Sequence, residues 1–255
     1  MANVPPPPPV TAVAKVPAPP PAPPATPPAA LVVSEVFGPT FQGEGPSTGQ
    51  AAGFVRLGRC NLACRWCDTP YTWDWERHDP AVELTTMAVA DVLARLDTMG
   101  VRLLVVTGGE PLLQQRHLPP LLAGAKERGW TVELETAGTL APSAAVDLVD
   151  RFNVSPKLAN SGMAVERRYR PDVLRAFQAG GRAVFKFVAA GPDDLAEVDT
   201  IVAECGLRPV WVMPEGTDAA TLLARLQALA PHVVARGWNL TPRLHVLLWG
   251  DRRGT

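Results

Sequence analysis

Cys60-Asn61-Leu62-Ala63-Cys64-Arg65-Trp66-Cys67-Asp68-Thr69 gathers three of the chain's four cysteines into eight residues, spaced Cys-x3-Cys-x2-Cys. As a disulfide framework this leaves one thiol unpaired and only the distant Cys205 to complete it. A structural zinc site normally takes four protein ligands, and no second Cys-x2-Cys or His-x3-His supplies the rest. Three thiolates on one tight loop suit an iron–sulfur cube, which soft sulfur ligands hold, with the fourth iron open to a ligand that is not protein. On the cysteines alone, zinc and purely structural readings stay open beside it.

Outward from this loop, apolar runs alternate with helical patterns. Residues 31–37 are apolar and β-branched and read as a first strand; residues 53–58 read as a second, delivering the chain to Cys60. On that pleat Arg56 points opposite to Val55 and Leu57. Residues 69–85 read as coil, and residues 85–96 as a helix with Val89, Val92, Leu93 and Leu96 on one face. Residues 101–106 form a strand running into Thr107-Gly108-Gly109-Glu110-Pro111. Helix 118–128 and strand Thr131–Thr136 repeat the unit, and 151–157 is the next strand and turn. Strand 183–188, helix 193–205, strand 209–214 and helix 221–229 follow. The segment 242–250, with His245, alternates only weakly. Strands alternating with helices predict an α/β fold with a mostly parallel sheet, whose ligands sit at the strands' C-terminal ends.

Composition excludes several classes of function. With 24 basic and 25 acidic residues the net charge is −1, so no electrostatic case exists for nucleic-acid or membrane binding. Four cysteines in 255 residues do not make a secreted disulfide scaffold. No apolar run reaches transmembrane length, and prolines break every apolar stretch of the head, so a cytoplasmic protein is expected. Residues 1–30, with Pro5 to Pro9 consecutive, are predicted to be a disordered proline-rich tail, and residues 31–255 the folded core.

Cys60-x3-Cys64-x2-Cys67, with Trp66 before the last cysteine, resembles the cluster loop of radical S-adenosylmethionine (SAM) enzymes. Gly108-Gly109-Glu110-Pro111, one strand–helix unit later, resembles that superfamily's Gly-Gly-Glu-Pro motif. Phe41-Gln42-Gly43-Glu44-Gly45, Cys67-Asp68-Thr69 and Leu244-His245-Val246 narrow the resemblance to the 7-carboxy-7-deazaguanine synthases of the 7-deazapurine (queuosine) pathway. It covers the chain from about Val32 to its end.

The resemblance implies an incomplete, TIM-like (β/α)6 barrel. It implies a [4Fe–4S] cluster on Cys60, Cys64 and Cys67, with SAM bound to the open iron and cleaved by one electron to a 5′-deoxyadenosyl radical. It implies SAM contacts at Gly109, Glu110, Glu135, Ser155, Pro156 and Lys157. Substrate contacts are implied at Phe41, Gln42, Gly43, Glu44, Arg56, Thr107 and His245, with Arg56 meeting a carboxylate and the C-terminal segment covering a pterin. Thr69 is implied as the Mg²⁺ ligand, and Asp68 either assists or caps the next turn. A homodimer and an electron donor such as flavodoxin or ferredoxin are further implications. Cys205 is expected to be a buried structural thiol. Two rival readings are an activating enzyme for glycyl-radical proteins and a non-catalytic iron–sulfur or zinc module. Neither gives a purpose to all of these motifs.

Overall fold

A computed structural model of the chain describes Met1 and residues 29–255. The expected proline-rich tail therefore lies almost wholly outside the described residues. The order of elements is β1 (Ala30–Phe41), β2 (Ala51–Leu57), α1 (Pro80–Glu83), β3 (Thr85–Ala88), α2 (Val89–Asp97), β4 (Leu103–Gly108), α3 (Pro119–Glu127), β5 (Thr131–Thr136), β6 (Arg151–Val154), α4 (Val165–Arg168), α5 (Pro171–Ala179), β7 (Ala183–Ala189), α6 (Leu195–Cys205), β8 (Val210–Pro214), α7 (Ala219–Ala235), β9 (Asn239–Leu240) and α8 (Leu244–Trp249).

The nine strands form one sheet in the order β3-β1-β2-β4-β5-β6-β7-β8-β9. From β2 to β9 every pairing is parallel, whereas β1 pairs antiparallel with both β2 and β3. β2 and β4 to β8 are the six strands of a partial (β/α)6 barrel, open because β3 and β9 end the sheet without pairing to each other.

The pleat sorts side chains between two faces. Val55, Leu57, Leu104, Val106, Val132, Leu134, Phe152, Val154, Phe185 and Phe187 point to the helix layer and form one continuous core. Each such burial contributes about 1.5–3 kcal/mol. The alternate positions Arg56, Thr107, Glu135, Asn153 and Lys186 point the other way, into the concave side. That alternation gives central parallel strands a polar face, which such strands lack when both faces are covered by helices.

Four sequence expectations change. Thr85–Ala88 is the edge strand β3 and not the first turn of a helix, because β1 offers its open edge to it from Ala30 to Val33. The helix begins only at Val89, with Val89, Val92, Leu93 and Leu96 buried as its periodicity requires. The same pairing moves the start of the fold before residue 31, since Ala30 pairs with Ala88 and the Ala29 carbonyl accepts from the Val89 N–H. Segment 242–250 is mostly helical, as α8. The expected coil at 69–85 holds a short 3-10 turn at Pro70–Thr72 and α1, whose first turn is capped by the Asp79 side chain. No α-helix joins β5 to β6; a 3-10 turn at Ala144–Val146 stands there. Among the described residues no helix is long and apolar enough to cross a membrane.

Candidate active site

A cavity of about 370 Å³ opens at the C-terminal ends of the parallel strands. All the residues singled out above as ligand contacts line it, except Glu110 and Pro156. Cys205 lies elsewhere: it packs into the helix-side core with its thiol 3.4 Å from the Tyr169 hydroxyl.

One wall carries the three thiols. Cys60, Cys64 and Cys67 share an apolar cluster with Leu62, Ala137 and Met163. Burial pushes the Cys60 thiol up to about 12 and raises that of Cys64. Such thiols keep their protons unless a cation takes the protons' place, which is the condition of a metal-ligand sulfur. Among the described residues no three Cys, His, Asp or Glu side chains are grouped as a single metal ion would need. A four-iron cube would offer each of the three sulfurs its own iron and leave the fourth iron open. The Leu62 N–H donates to the Cys60 sulfur at 3.4 Å and the Trp73 indole to the Cys67 sulfur at 3.3 Å.

The glycines after β4 are required by this wall. A Cβ on Gly108 would lie 2.2 Å from the Leu57 carbonyl oxygen, and one on Gly109 2.2 Å from that of Arg59. Gly108 also has φ +148°, which a side chain disfavours. Glu110 does not face the cavity. It is fully buried, and its carboxylate accepts from the Leu112 N–H (3.0 Å), the Ala137 N–H (2.8 Å) and the Thr136 hydroxyl (2.9 Å). Burial still raises its pKa. The side chain is thus a strut from the Gly-Gly loop to the end of β5, and the loop backbone is what meets the cavity. On β6's exit, Lys157 donates to the Ser155 carbonyl and hydroxyl at 2.8 and 3.0 Å, and its ammonium stands 5.9 Å from the centre of the Trp66 ring.

The opposite wall is the loop after β1, which turns into the barrel. Gln42 is almost completely buried; its amide donates to Glu135 (3.1 Å) and accepts from the Glu44 N–H (3.2 Å). The Thr107 hydroxyl donates to the other Glu135 oxygen at 2.7 Å. Glu44 is ion-paired with Lys186 and with Arg243, the latter at 3.2 Å. Burial alone would raise the Glu44 carboxyl, but Lys186 and Arg243 outweigh it and hold the group well below the usual carboxylate range. Arg243 also pairs with Asp68 and donates to the Gly216 carbonyl at 2.7 Å. Asp68 therefore caps no turn; it ties the cluster loop to the C-terminal segment.

That segment closes the cavity. The Leu244 N–H donates to the Gly43 carbonyl at 2.9 Å, and the Gly45 N–H to Thr241 at 2.8 Å. Trp249 stacks on Phe41. His245 lies so close over Gly43 that a Cβ there would be 2.0 Å from Nδ1, and burial lowers its pKa. Arg253 donates to Glu35 at 2.5 Å and Glu83 at 2.7 Å. Arg56 donates from Nε to the same Glu35 at 2.8 Å, and among the described residues its two Nη groups have no partner. Thr69 is buried at the cavity wall, its hydroxyl 3.6 Å from the Cys67 sulfur.

Lys186, Arg243 and Asn153 were not found from sequence. Lys186 left one signal, a lone cation inside the apolar run 183–188 of a central strand. Arg243 left none, since its partners lie 199 and 175 positions away.

Residues 55–177 match the model of the Radical SAM superfamily. The chain is 37% identical over 226 residues to the 7-carboxy-7-deazaguanine synthase of Pyrobaculum aerophilum, covering 87% of this chain and 96% of that one. It is 31% identical over 243 residues to that of Bacillus subtilis, covering 88% and 98%. The chain belongs to the 7-carboxy-7-deazaguanine synthase family. Its fold matches the crystal structure of QueE from Escherichia coli with a TM-score of 0.63 and 25% identity, over 85% of this chain and 95% of that one. As a radical SAM family member it uses a [4Fe–4S] cluster and SAM, and the three thiols of this 7-carboxy-7-deazaguanine synthase fold fit the cluster.

Proposed function

We propose that the chain converts 6-carboxy-5,6,7,8-tetrahydropterin to 7-carboxy-7-deazaguanine with loss of ammonia, as a radical SAM lyase. One observation carries this reading: the three thiols and the open fork of Arg56 face a single cavity that the C-terminal segment closes. When bound, the reduced cluster and SAM supply the adenosyl radical that abstracts hydrogen from the substrate; the protein supplies the rest. Gly109, Ser155 and Lys157 hold SAM on the cluster wall. The Arg56 Nη groups clamp the substrate carboxylate. The loop 41–44 and His245 enclose the ring, and Glu135, fixed by Gln42 and Thr107, stands between the two ligands. The Thr69 hydroxyl, with Asp68 beside it, fits the hard oxygen shell of Mg²⁺ completed by substrate and water.

The cavity carries the Gln42-Gly43-Glu44 group suited to a heterocycle, which disfavours a glycyl-radical activating role. The reading extends to a homodimer in a reducing cytoplasm, fed electrons by a flavodoxin- or ferredoxin-type donor. The test is anaerobic reconstitution with iron and sulfide, followed by SAM, dithionite and the pterin. Deazaguanine and ammonia in equal amounts are expected, with deoxyadenosine formation dependent on the pterin. Deoxyadenosine released at the same rate without pterin, and no deazaguanine with it, would overturn the assignment.

A further inference from the structure

We propose that Glu35 is a positioning residue for substrate recognition: it holds Arg56 from behind, so that the open fork of that guanidinium stays aimed at the substrate carboxylate. The inference rests on the function proposed above, in which Arg56 clamps that carboxylate.

The register of β1 puts Glu35 where it can do this. Val33 pairs with Leu57 and Glu35 with Arg56, so β1 has one extra residue, Ser34, between two consecutive positions of β2. Without that bulge Glu35 would share the core face with Val33, two places before it. The bulge re-aims it to the concave face beside Arg56. Directly opposed side chains of an antiparallel pair start about 5 Å apart, close enough for one to grip the other. Alternation then resumes, with Val36 against the core and Phe37 stacked on Phe54.

The Glu35 carboxylate is held by three donors from three segments. Oε2 accepts from Arg56 Nε at 2.8 Å and from the Tyr71 hydroxyl at 3.1 Å, and Oε1 accepts from Arg253 Nε at 2.5 Å. Arg253 is itself anchored by Glu83 at 2.7 Å and by the Tyr71 ring, whose centre lies 3.9 Å from its guanidinium carbon. Glu35 is thus not free to follow Arg56; Arg56 must follow it. Arg56, Tyr71 and Arg253 line the cavity and Glu35 does not, so Glu35 acts on a ligand only through them. A guanidinium is planar, and a bond at Nε fixes the directions of both Nη groups. With Nε taken, a carboxylate can engage Arg56 only end-on, at the Nη pair. The Phe37 ring, centred 5.2 Å from the guanidinium carbon, bears on the face of that plane. The Arg56 side chain keeps 16% of its surface exposed, and its Nη atoms are not among the buried atoms that lack a partner. The fork is therefore both fixed and reachable.

The test is equilibrium binding to the reconstituted, unreduced holoenzyme with SAM present, using the carboxylate substrate and its 6-carboxamide analogue. The native protein should prefer the carboxylate by about 10-fold or more. Glu35→Ala should weaken carboxylate binding about 10- to 100-fold, the range of a charge-assisted contact, and carboxamide binding by no more than about 3-fold. In turnover the loss should appear in KM, with kcat within about 3-fold of native. Charge alone predicts the opposite sign, because removing an anion beside Arg56 strengthens its pull on a carboxylate. In an Arg56→Ala background the same substitution should cost almost nothing, since Glu35 acts through Arg56. Glu35→Gln keeps an acceptor for Nε without the charge and should lose about 3- to 10-fold, which decides the case if the Ala variant does not fold. A Glu35 variant that binds the carboxylate as well as native or better, or that weakens both ligands alike, would overturn the inference and leave the proposed function standing. So would an equal cost of Glu35→Ala with and without Arg56. A native enzyme with no preference for the carboxylate, or a preference that Arg56→Ala leaves unchanged, refutes the clamp on which both readings rest.

Discussion

On the cluster wall of the cavity the side chains meet through apolar packing and long sulfur contacts; on the pterin wall they are locked together by ion pairs and short hydrogen bonds. Cys60, Cys64 and Cys67 come from one loop, and their sulfurs receive only long contacts from Leu62, Trp73 and Thr69. Across the cavity, Arg243, Glu44 and Lys186 form a continuous chain of ion pairs, which Asp68 joins from the end of the cluster loop. The first wall is incomplete by itself because what it holds arrives from outside with its own charge and rigidity. The second must be rigid beforehand, since ring contraction demands a substrate held in one pose. The cluster wall should therefore fail in composition when mutated, and the pterin wall in stability and geometry.

The largest effect tests the first half of that statement. Cys60→Ala should abolish both the cluster's visible absorption and turnover while leaving the fold in place, and Cys205→Ala should change neither iron content nor rate. Iron analysis and absorption spectra decide it. Loss of iron in the Cys205 variant would dissolve the distinction between the loop and the core thiol.

Next comes the ion-pair chain. Glu44→Gln leaves Lys186 buried without its partner, which typically costs about 3–5 kcal/mol. In a domain of this size that lowers the melting temperature by roughly 10 °C. Adding Lys186→Met to Glu44→Gln should recover much of the loss, because the buried ammonium left without its carboxylate is then removed. The pH dependence has a definite sign. The folded Glu44 carboxyl sits below its ordinary value of 4.5, so the unfolded chain binds that proton more readily. Its stabilisation is complete above about pH 4.5 and is lost progressively as pH falls toward the folded value. Melting curves from pH 7 to pH 3 should thus fall more steeply for the native chain than for Glu44→Gln. Parallel curves would show that the chain of ion pairs is not what holds this wall.

How much of each wall was legible follows from the same difference. The cysteine spacing, the Gly-Gly pair and Ser155-Pro156-Lys157 are local patterns, readable because one loop supplies several neighbours at once. The pterin wall is assembled by pairings 142 and 199 positions apart, which no window of sequence contains. Alternation on β5 to β7 did hold a trace of it. Glu133, Glu135, Asn153 and Lys186 are polar residues on the face of these strands opposite the core. Read together, they announce a polar barrel interior. For Glu110 the motif is local, but only the fold shows that its carboxylate accepts from backbone N–H groups behind the loop.

A smaller and sharper test uses Gly43. Its Cβ would overlap His245, so Gly43→Ala must displace the ring or the α8 segment that carries it. Geometry lost at this level can cost up to about 100-fold in turnover. Cluster content and SAM binding should be untouched. A matching loss of SAM affinity would mean that the two walls are mechanically one.

The smallest expected effect asks whether the cluster wall is as passive as its sparse contacts make it look. The Trp73 indole N–H stands 3.3 Å from the Cys67 sulfur. A donor on a ligating sulfur favours the reduced, more negative cluster and raises its potential. Trp73→Phe keeps an aromatic ring beside the loop and removes the N–H. A net hydrogen bond of about 1 kcal/mol corresponds to roughly 40 mV for one electron, so the variant's potential should be more negative by that amount. A redox titration of the SAM-free protein followed by electron paramagnetic resonance reads this directly. With dithionite in excess the turnover rate should barely change, and with a weaker one-electron donor it should drop. An unchanged potential would mean that the indole does not address the sulfur once iron is in place. The cluster wall would then contribute ligands and exclusion of water, and all of the site's charge design would belong to the pterin side.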